Sequence, residues 1–167
     1  TTDNAVTLPR YTDGDGVMVM AVASAPTAGG GGFTFDYVNQ DGAARTSPSI
    51  SCNTTAANIA TLVTSQQAVA AGGWWFLPLT GGDRGVRSIT SVTFSAASGG
   101  LIALVLVKPL ATLAIREINT MAEREFVTQM PGAPRIYDGA YLGLITNCAA
   151  TIAAGQLAGY ARFAWSE

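Results

Sequence analysis

The stretch Leu101-Ile102-Ala103-Leu104-Val105-Leu106-Val107 constrains this chain most: seven successive apolar residues with no polar interruption. Ser98-Gly99-Gly100 precedes it and Lys108-Pro109 follows, which favours a short strand over a helix. An uninterrupted apolar run predicts a strand covered on both faces. It is too short to cross a membrane as a helix, because extending it to Ile115 crosses Lys108 and Pro109. Val86 to Phe94 and Thr112 to Ile118 flank it. Residues 86 to 118 are therefore expected to form three consecutive central strands, with the rest of the chain layered around them.

The remaining segments give the same class of signal. Val17 to Ser24 (VMVMAVAS) reads as a strand, and Gly29 to Gly32 after Pro26 as a loop. Phe33, Phe35 and Tyr37 share one face while Thr34 and Asp36 take the other, the period of two that marks a half-buried strand. Asp41-Gly42 is a strong hairpin signal. Arg45 to Cys52 is its polar return strand, and Pro48 suits an edge position. Residues 53 to 71 favour a short helix or an irregular loop. Further strands are expected over Tyr141 to Thr146 and Gly159 to Trp165. The expected fold is all-β, an antiparallel β-sandwich or jelly roll with about eight or nine strands and little helix. Residues 1–16 read as an N-terminal arm that reaches a neighbour, and 17–167 as a single β-sandwich domain. The start carries neither an initiator Met nor a signal-like segment, so a processed chain or a fragment is expected.

Composition bears on partners. Charged residues are 12% of the chain, where about 25% is usual. A neutral surface of this kind is expected to be covered in part by other subunits. Eight of the nine basic residues are Arg and only Lys108 is Lys, a bias that also favours interfaces. A net charge of −2, with basic residues scattered from Arg10 to Arg162, argues against nucleic acid.

The chain has no His, which removes Ser-His-Asp and Cys-His nucleophiles and the usual zinc ligands. Glu117, Glu123 and Glu125 stand beside Arg116 and Arg124 and read as a solvated charged bend. Asp13 and Asp15 read as a plain turn, since the later ligands of a calcium loop are missing. Gly81-Gly82-Asp83-Arg84-Gly85 lacks the ending of a phosphate loop and reads as a turn. Cys52 and Cys148 are expected to be buried free thiols, with a disulfide between them as the alternative. The chain is therefore read as a non-enzyme without cofactor or metal. Trp74-Trp75-Phe76 carries more information. Adjacent residues of a strand face opposite ways, so at most one Trp fills the core with ease; the readings are core packing of the whole trio, an interface anchor, or a sugar platform.

Three stretches carry a resemblance: TLPRYTDG from Thr7 to Gly14, GVRSI from Gly85 with GLIALVLVKPL from Gly100, and PRIYDGAYL from Pro134 to Leu142. Together they resemble a group of virion structural proteins of tailed bacteriophages. The similarity runs over most of the chain and is weakest over residues 53 to 76. It implies a place in the particle and carries no catalytic or binding residues across. Head proteins of this size and β-rich pattern resemble decoration, or cement, proteins. Those are sandwich or jelly-roll modules on the outer surface of the head, often homotrimers, that clamp the major capsid protein. The implied partners are the major capsid protein and further copies of this chain, with no nucleic acid and no membrane. Trp74, Trp75 and Phe76, with Arg10 and Tyr11 on the arm, are the expected interface residues. The alternative is a receptor- or glycan-binding module of a fibre, spike or tail, which would use Trp74, Tyr137 and Tyr141.

Overall fold

The computed structural model describes residues 6–26, 31–51, 62, 75–96, 99–114, 121–126, 134–145, 159 and 161–163. Among them the chain is all-β, without helix, in two antiparallel sheets. Seven strands are described: β1 (Val6–Thr7), β2 (Met18–Ala25), β3 (Gly32–Asn39), β4 (Ala44–Thr46), β5 (Ile50–Ser51), β6 (Val86–Phe94) and β7 (Leu101–Val107). The larger sheet runs β1-β6-β3-β4, with β5 also on β3, and the smaller one is the pair β2-β7. No helix of the described residues is long and apolar enough to cross a membrane.

The alternation read in β3 is realised. Phe33, Phe35, Tyr37 and Asn39 are buried and the residues between them half-buried. Asp41-Gly42 makes the expected hairpin, with Val38 opposite Ala44 and Gly42 at φ +81°. Asn39 holds the turn by accepting the Asp41 and Ala43 amides on Oδ1 at 3.0 and 2.8 Å. The return strand is split into β4 and β5. Ser47 bridges the gap: its amide donates to the Phe35 carbonyl at 2.9 Å, and its Oγ accepts the Phe35 amide at 3.0 Å.

Val19, Ala21 and Ala23 of β2 meet Phe33, Phe35 and Tyr37 of β3, with Leu77, Val86 and Ile89, in one buried cluster. The two sheets therefore share a single core. The Val, Leu, Ile and Phe side chains of this core contribute about 1.5–3 kcal/mol each on burial, and Phe35 and Tyr37 add a tilted ring contact at 5.4 Å.

Two expectations for the central region are corrected. β6 and β7 follow each other in sequence but lie in different sheets, β6 between β1 and β3, and β7, among the described residues, on β2 alone. Residues 108–114 form no strand, and 115–118 lie outside the described residues. Nor is β7 covered on both faces: Ile102, Leu104 and Leu106 pack on the core, while Leu101 is 66% and Val105 40% exposed. An apolar run specifies burial, and burial against another molecule has the same sequence as burial within one chain.

Residues 141–145 are exposed and in no strand, contrary to the strand expected over Tyr141 to Thr146; of the one expected over Gly159 to Trp165, residues 159 and 161–163 form no strand and the rest lie outside the described residues. Of residues 53–71 only Leu62 is described, in an isolated antiparallel bridge to Val22. Cys52 and Cys148 lie outside the described residues.

Candidate functional site

An apolar groove of about 570 Å³ opens between the edges of the two sheets. Val6, Leu8 and Phe94 line one wall, and Ile102, Leu104 and Leu106 the other. Strand β1 ends the larger sheet and β7 the smaller, so the groove is the open seam of the shared core. Val105 borders the groove as well, and on the outer face of β7 the apolar character continues from it through Ala103 to Leu101. No charged residue stands between Leu101 and Val107.

The arm residues lie beside this seam. From Val6 onward the arm packs on its own chain, Val6 opposite Ile89 and Thr7 opposite Ser88. Tyr11 has φ +52°, a left-handed conformation uncommon for a bulky residue. Several contacts hold it there. Its carbonyl accepts the Gly14 amide at 2.7 Å, and its hydroxyl donates to the Arg135 carbonyl at 2.5 Å. Its ring meets Tyr137 edge-on at 4.8 Å, and Lys108 Nζ lies 5.5 Å from its centroid. Arg10 donates from its guanidinium to the carbonyls of Asp138 and Gly139 at 3.2 and 3.1 Å. Arg10 and Tyr11 thus tie residues 135–139 to the arm within one chain.

Past Gly139 that tie ends. The amide of Ala140 closes a turn on the Tyr137 carbonyl at 3.1 Å. Tyr141 is then fully exposed, Leu142 is 52%, Leu144 80% and Ile145 36% exposed. A Cβ placed on Gly143 would meet nothing within 4 Å.

Of the aromatic trio, Trp74 lies outside the described residues. Trp75 and Phe76 are half-buried, with ring centroids 6.2 Å apart and nearly perpendicular. The Trp75 indole N–H is buried without an acceptor among the described residues. Leu77 then enters the core, its amide donating to the Val19 carbonyl at 2.8 Å. For the glycan alternative, Tyr141 offers a free-standing ring. Tyr137 is engaged instead, by Tyr11 at its edge and by the Arg135 guanidinium 4.8 Å from its centroid.

The turn at Asp13-Gly14-Asp15 is clasped by basic groups. The Asp15 carboxylate takes Arg84 Nε at 3.3 Å, Arg87 Nε donates to the Asp13 carbonyl at 3.0 Å, and Lys108 Nζ donates to the Asp15 carbonyl. Among the described residues no group of acidic or Cys side chains is arranged to hold a metal ion.

A polar network missed in the sequence joins the 77–85 loop to β3. Tyr37 Oη donates to Asp83 Oδ2 at 2.5 Å, Asn39 Nδ2 donates to Asp83 Oδ1 at 2.8 Å, and the Thr80 amide donates to Tyr37 Oη at 2.9 Å. Arg45 Nε lies 3.9 Å from the same carboxylate, which is only 4% exposed. The sequence did carry a signal. Tyr37 and Asn39 fall on the apolar face of β3, where a phenol and an amide need a buried partner.

The Tyr37 and then the Asn39 hydrogen bonds hold the Asp83 carboxyl below its ordinary 3.8. Ser91 and then Thr46 hydroxyls do the same for Asp36, at 2.5 and 2.6 Å. Burial first and the Asp83 carboxylate second push the Tyr37 phenol up from 10.0.

These shifts predict the acid limb of stability. Both carboxyls release their protons more readily folded than unfolded, so the unfolded chain gains protons first as pH falls. The stabilisation is complete above about pH 5 and is lost as pH drops through 3.8 toward the lower folded values. Urea midpoints measured down that range should fall steadily. A midpoint that holds its value to about pH 2 would show that neither hydrogen-bonded carboxylate matters.

Compared with known proteins, the chain matches no family model, no curated protein and no solved structure.

Proposed function

We propose that this chain is a virion structural protein of a tailed bacteriophage, a decoration or cement protein on the outer surface of the head. In this reading the two sheets form a sandwich or jelly roll that associates with further copies of itself, as a homotrimer, and bridges major capsid subunits. The observation that supports it best is apolar exposure on uncharged stretches: Leu101 and Val105 on β7, and Tyr141, Leu142 and Leu144 beyond the 135–139 tie. An exposed apolar patch of this sort marks an interaction surface. The resemblance of residues 7–14, 85–89, 100–110 and 134–142 to phage virion proteins points the same way.

The mechanism would be mechanical. Covering apolar area contributes about 25 cal/mol per Å² before the costs of association are deducted. Attachment at several contacts around a symmetric position turns weak contacts into firm ones. The role calls for no catalysis.

Two measurements test the reading: the mass of the purified protein by light scattering, and its binding to undecorated capsid shells. An oligomer that binds shells and raises their resistance to heat is the expected result. A single chain that ignores shells and binds a host polysaccharide would overturn it in favour of the glycan-binding module, with the Tyr141 ring as its platform.

A further inference from the structure

We propose that residues 141–145 of one copy add as a strand to the free edge of β7 in a second copy, closing the apolar seam between the sheets. The inference rests on the self-association in the preceding reading and names the surfaces that perform it.

Two stretches in this chain carry strand sequence without a strand's surroundings. The first is β7, which pairs β2 on one edge and has no strand on the other among the described residues. The second is Tyr141-Leu142-Gly143-Leu144-Ile145, apolar throughout, yet exposed at every position and in no strand. A conflict between local sequence and surroundings is expected where a site is completed by something else. Each stretch supplies what the other lacks.

The side chains match by period. Successive strand residues face opposite ways. An added strand that turns Leu142 and Leu144 inward sets them beside Ile102, Leu104 and Leu106, over the groove of about 570 Å³. Tyr141 and Ile145 then lie on the outer face, as cross-strand neighbours of Leu101, Ala103 and Val105. Gly143 falls between them, and a strand glycine suits a close backbone approach. Neither stretch carries a charge, so the pairing desolvates no ion.

The donor is held at its root. Arg10 and Tyr11 fix residues 135–139, and Gly139 at φ +67° begins the segment that stands away from its own seam. A fixed root with a projecting apolar strand is the arrangement for exchange between identical chains. The occupant is therefore a second copy of this chain.

The test uses full-length chains in which Cys52→Ser and Cys148→Ser leave no native thiol. One carries Val105→Cys, the other Tyr141→Cys or Ile145→Cys, all on the outer face. Mixing and mild oxidation should give a disulfide-linked pair of unlike chains in one of the two mixtures. No link in either mixture, from a protein whose mass is that of an oligomer, would overturn the exchange. So would a link formed only within single chains carrying both cysteines, at a rate unchanged by dilution.

Leu144→Asp, at a position exposed in the single chain, provides a second readout. Its mass should fall to that of one chain, 17.1 kDa, with an unchanged circular dichroism spectrum. An oligomer of unchanged mass would overturn the exchange. The two proposals fail separately. A cross-linking oligomer that ignores capsid shells removes the capsid role and leaves the exchange, whereas shell binding without the link does the reverse.

Discussion

Gly85→Ala should cost about 3 kcal/mol of folding stability, among the largest effects of any single methyl added to this chain. Gly85 is buried where the arm crosses the start of β6, in an isolated bridge to Asp15. A Cβ there would stand 2.7 Å from the Gly16 amide nitrogen and closer still to the Gly14 carbonyl oxygen. Both are backbone atoms and neither moves aside as a flexible side chain would. The crossing is pinned besides by Gly16 N to Arg84 O at 3.1 Å, Val86 N to Val17 O at 3.0 Å and Gln40 Oε1, which accepts the Arg84 and Gly85 amides at 3.0 and 3.1 Å. Relief therefore means parting the arm from β6. Denaturant midpoints of the variant and the parent measure the effect. Gly143→Ala, whose added methyl meets nothing within 4 Å, is the control and should change little in the single chain. Equal midpoints for Gly85→Ala and the parent would show that the crossing is looser than its geometry says.

Asp83→Ala should cost about as much, roughly 3 kcal/mol, by a different route. The substitution leaves the Tyr37 hydroxyl and the Asn39 amide buried with their shared acceptor gone. An abandoned buried donor costs about 1–3 kcal/mol, and two are abandoned here. Arg45 adds little, being 3.9 Å away and half in water. Asp83→Asn retains one acceptor oxygen and should recover part of the loss. The alanine variant should also lose part of the acid dependence, because one of the two lowered carboxyls is gone. A variant with the full stability of the parent would mean that water replaces the carboxylate without penalty.

Much of the fold was legible because its signals are local. The alternation of Phe33, Phe35 and Tyr37 determines which face of β3 is buried, and Asp41-Gly42 determines the turn that follows. The sheet to which each strand belongs was not legible. β2 precedes β3 and β6 precedes β7, yet both pairs are divided between the sheets, and no local pattern records a pairing partner. The candidate site was half legible. Leu101 to Val107 was recognised as a strand, but in the surroundings of a closed single chain, and the strand expected over Tyr141 to Thr146 is not formed by residues 141–145. Arg10 and Tyr11 drew attention as arm residues, while the Arg135 to Gly139 segment they hold is more than a hundred positions away. Asp83 sat unnoticed in a turn, because its importance comes from two residues on another strand.

The pairing of β2 with β7 also sets the order of events during synthesis. Met18 lies opposite Val107 and Ala25 opposite Leu101, so β2 leaves the ribosome about eighty residues ahead of its partner. Until β7 arrives, an apolar strand containing Val19, Met20 and Ala21 has no neighbour on that edge. Pairings this distant close large loops and are slow to form. The nascent chain must wait with this strand uncovered, which makes it a candidate client for a chaperone. Productive assembly would then be decided in the interval between the emergence of residue 25 and that of residue 107.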